Sequence, residues 1–341
     1  MGMIDISKGR YWDRPWSLVS GCTPCSPGCD HCWAAGIEHH YRKNGLTTHE
    51  TNRGYSPRFT GRIITHPDRL SIPIGKKKTK KPTVHAIWND WAHEDVPIHF
   101  QKAIIHVATI EPQHTFLALT KRPGNAVHFF EVTEINPPQN WWTGLTVCNQ
   151  KEADSKIPEF LKVPGKKFLS IEPMLGEINF AFIPNDGLGE GQRWHDPLRR
   201  CAWYATNDES YYDVCNTGVG IDAVILGGES GPGARPMHPD WVRSVRDQCA
   251  AAGVPYFFKG WGEWAPSCDY YEDDDDLRSQ CLDFPHRLLT LDGYEWHVGN
   301  PGERHDGQPP PGTWIMHRIG QKHHARLLDG RTHDELPWVT P

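Results

Sequence analysis

The sequence predicts an α/β chain folded as a complete or partial (β/α) barrel of the TIM type. Short apolar runs recur at Val84–Trp88, Thr115–Leu119, Trp141–Val147, Lys167–Ile171, Asp222–Leu226 and Pro255–Phe258. Each has the length and composition of a buried strand. Between most of them lie stretches with helical spacing, such as Ile98–Ile110 and Lys151–Leu161, the latter followed by Pro164. Strands that alternate with helices build parallel sheets, and a long succession of such units points to a barrel.

The elements follow in chain order. A first, weakly marked strand is expected near Trp16–Val19, followed by the loop Gly21-Cys-Thr-Pro-Cys-Ser-Pro-Gly-Cys-Asp-His-Cys-Trp33. Its prolines and glycines disfavour a helix before Cys29, so a helix is expected from Cys29 to about Tyr41. The basic run Lys76–Lys81 reads as a solvated loop. Trp241–Ala252 is a clear amphipathic helix closed by Gly253. Residues 180–220 break the alternation with a loop-rich, lid-like insertion carrying Trp194, Trp203, Tyr204, Tyr211 and Tyr212. After Lys259 the pattern dissolves into the acidic run Glu272–Asp276 and a Pro/Gly-rich stretch, Asn300–Gly312. The expected division is therefore a barrel over 1–265 and an extension over 266–341 that packs on it.

Composition narrows the function classes. At 38% hydrophobic and 23% charged, the 341 residues suffice for a buried core. Thirty-six basic against 42 acidic residues give a net charge of −6, which excludes a generally basic nucleic-acid coat but leaves room for a local basic groove. No run approaches a membrane span and no signal segment precedes Asp5, so a cytoplasmic protein without a membrane partner is expected. The 15 tryptophans read mainly as core and turn packing.

Chemistry concentrates in the cysteines and at the strand ends. Cys22, Cys25, Cys29 and Cys32 crowd into one loop, whereas the other cysteines are scattered singly, a pattern that argues for metal rather than a disulfide framework. Polar residues stand where the apolar runs stop: Asn89 and Asp90, Thr120 to Arg122, Thr146, Glu172, Glu229 and Ser230, and Lys259. Each alone is an ordinary cap or turn former. Repeated around a barrel, they mark the carboxyl ends of the strands, where barrel active sites lie.

Cys25-x3-Cys29-x2-Cys32 is similar to the motif of radical SAM enzymes, with His31 where that motif prefers an aromatic residue. The resemblance implies a [4Fe–4S] cluster held by three thiolates, with one iron left to chelate S-adenosylmethionine. Reductive cleavage would then yield a 5′-deoxyadenosyl radical, with electrons from a reductant of the flavodoxin or ferredoxin type. The segments Trp88–Trp91, Leu119–Pro123, Leu169–Met174, Gly227–Met237, Phe257–Trp264 and Arg326–Arg331, with the cysteine loop, resemble the phage-associated three-cysteine-motif proteins, a radical-SAM-like domain of unknown function. A phage-encoded member would work in the host cytoplasm. The family triad maps to Cys22, Cys29 and Cys32, so Cys25 and Cys22 both stand as candidates for the third ligand.

The resemblance implies cofactor contacts from His31, Asn89, Asp90, Thr120, Thr146 and Glu172, and catalytic roles for Glu229, Lys259 and Lys121. Gly227-Gly228-Glu229 comes too late in the strand order to hold the methionine ammonium, a task for which Asn89-Asp90 is better placed. Lys121, Arg122, Arg235 and Lys259 are candidates for phosphate contacts. The expected reaction is modification or rearrangement of a nucleic-acid base, such as a hypermodified thymidine, on a DNA or nucleotide substrate. An isomerase is the favoured class. The alternative is a four-cysteine zinc module that binds nucleic acid without catalysis. A hydrolytic zinc site at His93 and Glu94 fails for want of His-Glu-x-x-His spacing.

Overall fold

The computed structural model describes residues 4–41, 45–49, 57–74, 81–184, 192–205, 211–214, 217–266, 286–296, 311–320 and 325–339. Lys76–Lys80, the acidic run 272–276 and residues 300–310 lie outside them. Seven strands form one parallel sheet: β1 (Arg14–Trp16), β2 (Val84–Ile87), β3 (Thr115–Thr120), β4 (Trp141–Thr146), β5 (Lys166–Ile171), β6 (Ala223–Gly227) and β7 (Tyr256–Gly260). Their spatial order is their chain order, without the reversal that marks a doubly wound sheet. Among the described residues β1 and β7 do not pair, so the sheet is a partial (β/α) barrel.

Alternation along each strand divides the core. Phe116, Ala118, Leu145, Leu169, Val224 and Phe258 face the helices, whereas Leu117, Trp142, Phe168, Ile225 and Phe257 fill the inner side with Tyr11 and Leu336. Gly144 has a steric reason: a Cβ there would sit 2.2 Å from the Phe168 ring, so only glycine lets that ring cross β4. Helix α1 (Trp33–Tyr41) packs on the antiparallel hairpin of Thr47–His49 and Pro57–Phe59, and four further helices cover the outer face: α2 (Ile98–Ile110), α3 (Pro123–Thr133), α4 (Gln150–Phe160) and α5 (Pro239–Ala252). α2 buries Phe100, Ile104, Ile105 and Ala108, the three-and-four spacing of one helical face. The Asn149 side chain caps α4 by accepting from the Glu152 amide at 3.0 Å, and Gly253 ends α5 at φ 67°.

The open seam is closed by the chain ends. The Arg326 guanidinium donates to the carbonyls of Ile6 (2.6 Å), Phe258 (3.0 Å) and Lys259 (3.2 Å), and also pairs with Asp334. The Phe258 amide donates to the His333 carbonyl at 2.9 Å, so the tail satisfies a backbone group that an eighth strand would otherwise meet.

Several expectations change. The first sheet strand is Arg14–Trp16, because Val19–Ser20 leaves the sheet to pair antiparallel with Ile64–Thr65. The helix expected from Cys29 starts at Trp33; Pro27–Cys29 is a 3-10 turn whose Gly28 amide donates to Ser26 Oγ at 3.1 Å. The insertion contains an antiparallel sheet of Ile183–Pro184, Gln192–Asp196, Cys201–Ala205 and Tyr211–Val214, and Cys201 is disulfide-bonded. Beyond Lys259, Trp264–Pro266, Trp314–Arg318, His286–Leu289 and Glu295–Trp296 form a second antiparallel sheet. Strands this short carry too few residues for an alternating pattern to stand out. Among the described residues no helix is long and apolar enough to cross a membrane.

His85 and His195 are buried, and burial pulls their pKa values down to about 3 and about 4. Both are neutral when folded, while the unfolded chain takes up protons near pH 6.5. Their stabilisation is therefore full above about pH 6.5 and is lost as pH falls toward 4, at roughly 1.4 kcal/mol per pH unit for each histidine. Thermal melts of His85→Leu should show a shallower loss of Tm between those pH values than the parent. Equal slopes would mean that His85 is already protonated in the fold.

Candidate functional site

The ends of β2 and β3 grip the cysteine loop through one buried ion pair. Asp90, buried just past β2, accepts from Thr120 Oγ1 (2.6 Å), the amides of Ala92 (3.2 Å) and Lys121 (3.3 Å), and Arg122 Nη1 (2.8 Å). Arg122 then reaches across to the loop: Nη2 donates to the Thr23 carbonyl at 2.6 Å, and Nη1 lies 3.9 Å from Cys22 Sγ. Its Nε pairs with Glu94 at 2.8 Å, while His93 Nε2 meets Thr23 Oγ1 at 2.9 Å. Asn89, at φ 64°, donates its side-chain amide to the Val19 carbonyl at 2.7 Å. Asn89, Asp90 and Thr120 thus spend their polar groups on the strand ends and on the approach to the loop.

Within the loop all four cysteines are free thiols: Cys29 is buried, Cys22 and Cys32 are half-buried, and Cys25 is exposed. A Cβ on Gly21, which has φ 87°, would lie 1.9 Å from the Arg62 carbonyl oxygen, so the loop entrance requires glycine. The neighbouring Cys25 thiol, with help from the Lys121 charge, pulls the Cys29 pKa well below the usual thiol value, and the same pairing raises that of Cys25. Burial pushes Cys22 up to about 12, and the Asp90 charge adds to it.

Cys148, just past β4, belongs to the same place although the sequence reading left it aside. Its buried Sγ is 3.8 Å from Ser26 Oγ, and a Cβ on Gly28 would lie 2.6 Å from that sulfur. Its position after a strand was the available signal. Burial alone would lower the pKa of Lys121, but Cys29, Cys32, Cys148 and Asp90 outweigh it and hold the ammonium charged.

Two further pairs lie at the strand ends. Glu172 accepts from Lys259 Nζ (2.5 Å), Tyr11 Oη (3.1 Å) and Ser170 Oγ (3.2 Å), joining β5 to β7. Glu229 takes Arg235 in a fork, with Nε at 2.9 Å and Nη2 at 2.7 Å. Arg235 also donates to the Pro27 carbonyl at 2.9 Å and lies 3.5 Å from Asp30, tying this pair to the loop. His31 packs against Gly233, where a Cβ would sit 2.7 Å from the imidazole. Thr146 is buried, and among the described residues its hydroxyl has no partner. Arg122 and Arg235, expected as phosphate contacts, are held by carboxylates instead. Tyr11 went unread because nothing in sequence places a residue before β1 beside the end of β5.

Among the described residues no three His, Cys, Asp or Glu side chains are already drawn together around a metal position. The donors nevertheless fit a thiolate-held group in kind: free sulfurs on one loop, one of them with its pKa pulled down, facing a half-buried lysine. Thiolate ligands must be deprotonated, and binding that gathers them also orders their loop.

The family model described as "Protein of unknown function (DUF5131)" matches residues 7–337. The chain belongs to the DUF5131 family. No curated protein and no solved structure matches it. The match spans the whole parallel sheet, the cysteine loop and most of the tail that closes the seam, so in this DUF5131 protein loop and barrel form one unit.

Breaking the pair that holds the loop should be costly. Arg122→Met leaves the Asp90 carboxylate buried without its countercharge and should lower stability by about 3 kcal/mol in urea unfolding. The double variant Asp90→Asn/Arg122→Met should recover part of that loss. A single variant as stable as the parent would show that the pair does not secure the loop.

Proposed function

We propose that this DUF5131 protein is a radical SAM enzyme whose cysteine loop holds a [4Fe–4S] cluster. One observation carries the reading: free, clustered thiols lie at the carboxyl ends of a parallel partial barrel and face a half-buried lysine, Lys121. When bound, the cluster and S-adenosylmethionine supply the one-electron chemistry that generates a radical for hydrogen abstraction. The chain's own contribution is placement and charge. Cys29 and Cys32 serve as ligands, with Cys22 or Cys25 as the third. Lys121 offsets the negative charge of the thiolates, and Arg122 fixes the loop at Thr23. The unpartnered hydroxyl of Thr146 is a ready hydrogen-bonding group for the bound cofactor. Lys259, on the substrate side, pairs across the inner face with Glu172, the expected cofactor contact.

The same four free thiols also fit a zinc site, so metal identity is the decisive test. After anaerobic reconstitution the protein should take up about four irons per chain and turn brown. Cys29→Ala and Cys32→Ala should lose that iron. Of Cys22→Ala and Cys25→Ala only one should do so, and it names the third ligand. Stoichiometric zinc with no iron uptake would sink the radical SAM reading.

A further inference from the structure

Four charged residues meet where β5 and β6 begin, at the end of the strands away from the cysteine loop. Lys166 opens β5, Lys167 follows it, and Asp222 directly precedes β6. Arg200 comes from the insertion, just before its Cys201–Ala205 strand. With Gln139 and Gly165 they line a cavity of about 280 Å³. Arg200 is held there at φ 57°, a strained conformation for a residue with a side chain. Gly220 leaves room for its stem, since a Cβ at that position would lie 2.6 Å from Arg200 Cγ.

The charges around the cavity do not balance. Asp222 is already used: Oδ1 accepts from Arg200 Nη2 at 2.6 Å, and Oδ2 from the Lys167 backbone amide at 2.8 Å. Lys167 is 7% exposed, and its ammonium donates to carbonyls, those of Val163 at 2.7 Å and Gly165 at 3.0 Å. Lys166 Nζ donates to the Gln139 carbonyl at 2.6 Å and lies 5.1 Å from the Trp142 ring. Among the described residues neither lysine has a carboxylate within ion-pair distance. Three cations against one carboxylate leave two positive charges unmatched. Buried charges are ordinarily paired, so a buried ammonium held by carbonyls alone is short of an anion. Burial lowers the Lys167 pKa, Arg200 adds to that, and the Asp222 charge offsets it only in part. Each ammonium also keeps at least one donor hydrogen that no carbonyl takes.

We propose that this cavity binds a small dianion, either a phosphate group or a dicarboxylate, held by Lys166, Lys167 and Arg200. The two unmatched charges set its valence. Its recessed shape, with a buried lysine in its lining, suits a small molecule. Bound there, the anion joins the insertion to the start of β5, far along the strands from the cysteine loop. It therefore acts as an effector rather than a substrate, and its binding needs no metal and does not rest on the radical SAM reading.

The test uses the full-length protein as purified, without added iron. Isothermal titration calorimetry and thermal melts are run with inorganic phosphate and with succinate, against chloride at the same ionic strength. At least one dianion should bind one-to-one and raise Tm above the chloride control. Binding of phosphate alone assigns a phosphate-bearing ligand, binding of succinate alone a dicarboxylate, and equal binding a site that selects charge. Lys166→Met should weaken binding roughly tenfold, the expected cost of one charge-assisted hydrogen bond. Lys166→Arg should retain most of the affinity. Lys167→Met should abolish binding, and Lys166→Met, altered at a more exposed position, decides the matter if that variant does not fold. No heat and no Tm shift with either dianion, or Lys166→Met binding like the parent, would overturn the proposal.

Discussion

The Asp90–Arg122 pair is the interaction on which the site depends. A carboxylate with so little exposure is stable as a charge only when its lone pairs are filled, and Thr120, two backbone amides and Arg122 fill them. The guanidinium is thereby fixed in direction, and its remaining donors point at Thr23 and Glu94. A loop with only a 3-10 turn of its own thus acquires a fixed position without packing a core beneath it. Gly21 and the His93–Thr23 contact hold the same short segment from other sides.

A partial barrel carries a second constraint: its first and last strands expose edges that a closed barrel would pair. Here both chain ends cover the seam, with Arg326 bonded to the N-terminal segment, to β7 and to the tail at once. Tyr11 shows how this reaches the site. The segment that seals the seam places Tyr11 against Phe257 and the Trp338 indole, and its hydroxyl arrives at Glu172. Seam closure and the arrangement of the polar groups on the inner face are therefore one structural event.

How much of this was legible depended on length and chemistry. Strands β2 to β7 were readable because buried parallel strands are near-continuous apolar runs between helices. β1 was not, since three residues beginning Arg-Pro carry no such run. The start of α1 was misread because Cys29-Asp-His-Cys32 contains no helix breaker; the loop is held open by tertiary contacts of Arg235 and His31 that no local rule encodes. The cysteine cluster itself was plain. Cys148 was not, because only the folded chain brings β4 beneath Gly28.

Charge accounting at the strand ends joins fold to chemistry. Arg122 is matched by Asp90 and Glu94, Arg235 by Glu229 and Asp30, and Lys259 by Glu172. Lys121 makes no carboxylate ion pair of its own among the described residues; its neighbours are Asp90, already bound by Arg122, and the sulfurs of Cys29, Cys32 and Cys148. A half-buried ammonium is favoured by negative charge close by. With the carboxylates engaged elsewhere, that charge falls to the thiols, and Cys29, the most acidic of them, supplies it first. Burial pushes the Cys22, Cys32 and Cys148 thiols up while Cys29 alone is pulled down, so a soft metal would have to displace the remaining thiol protons as it binds.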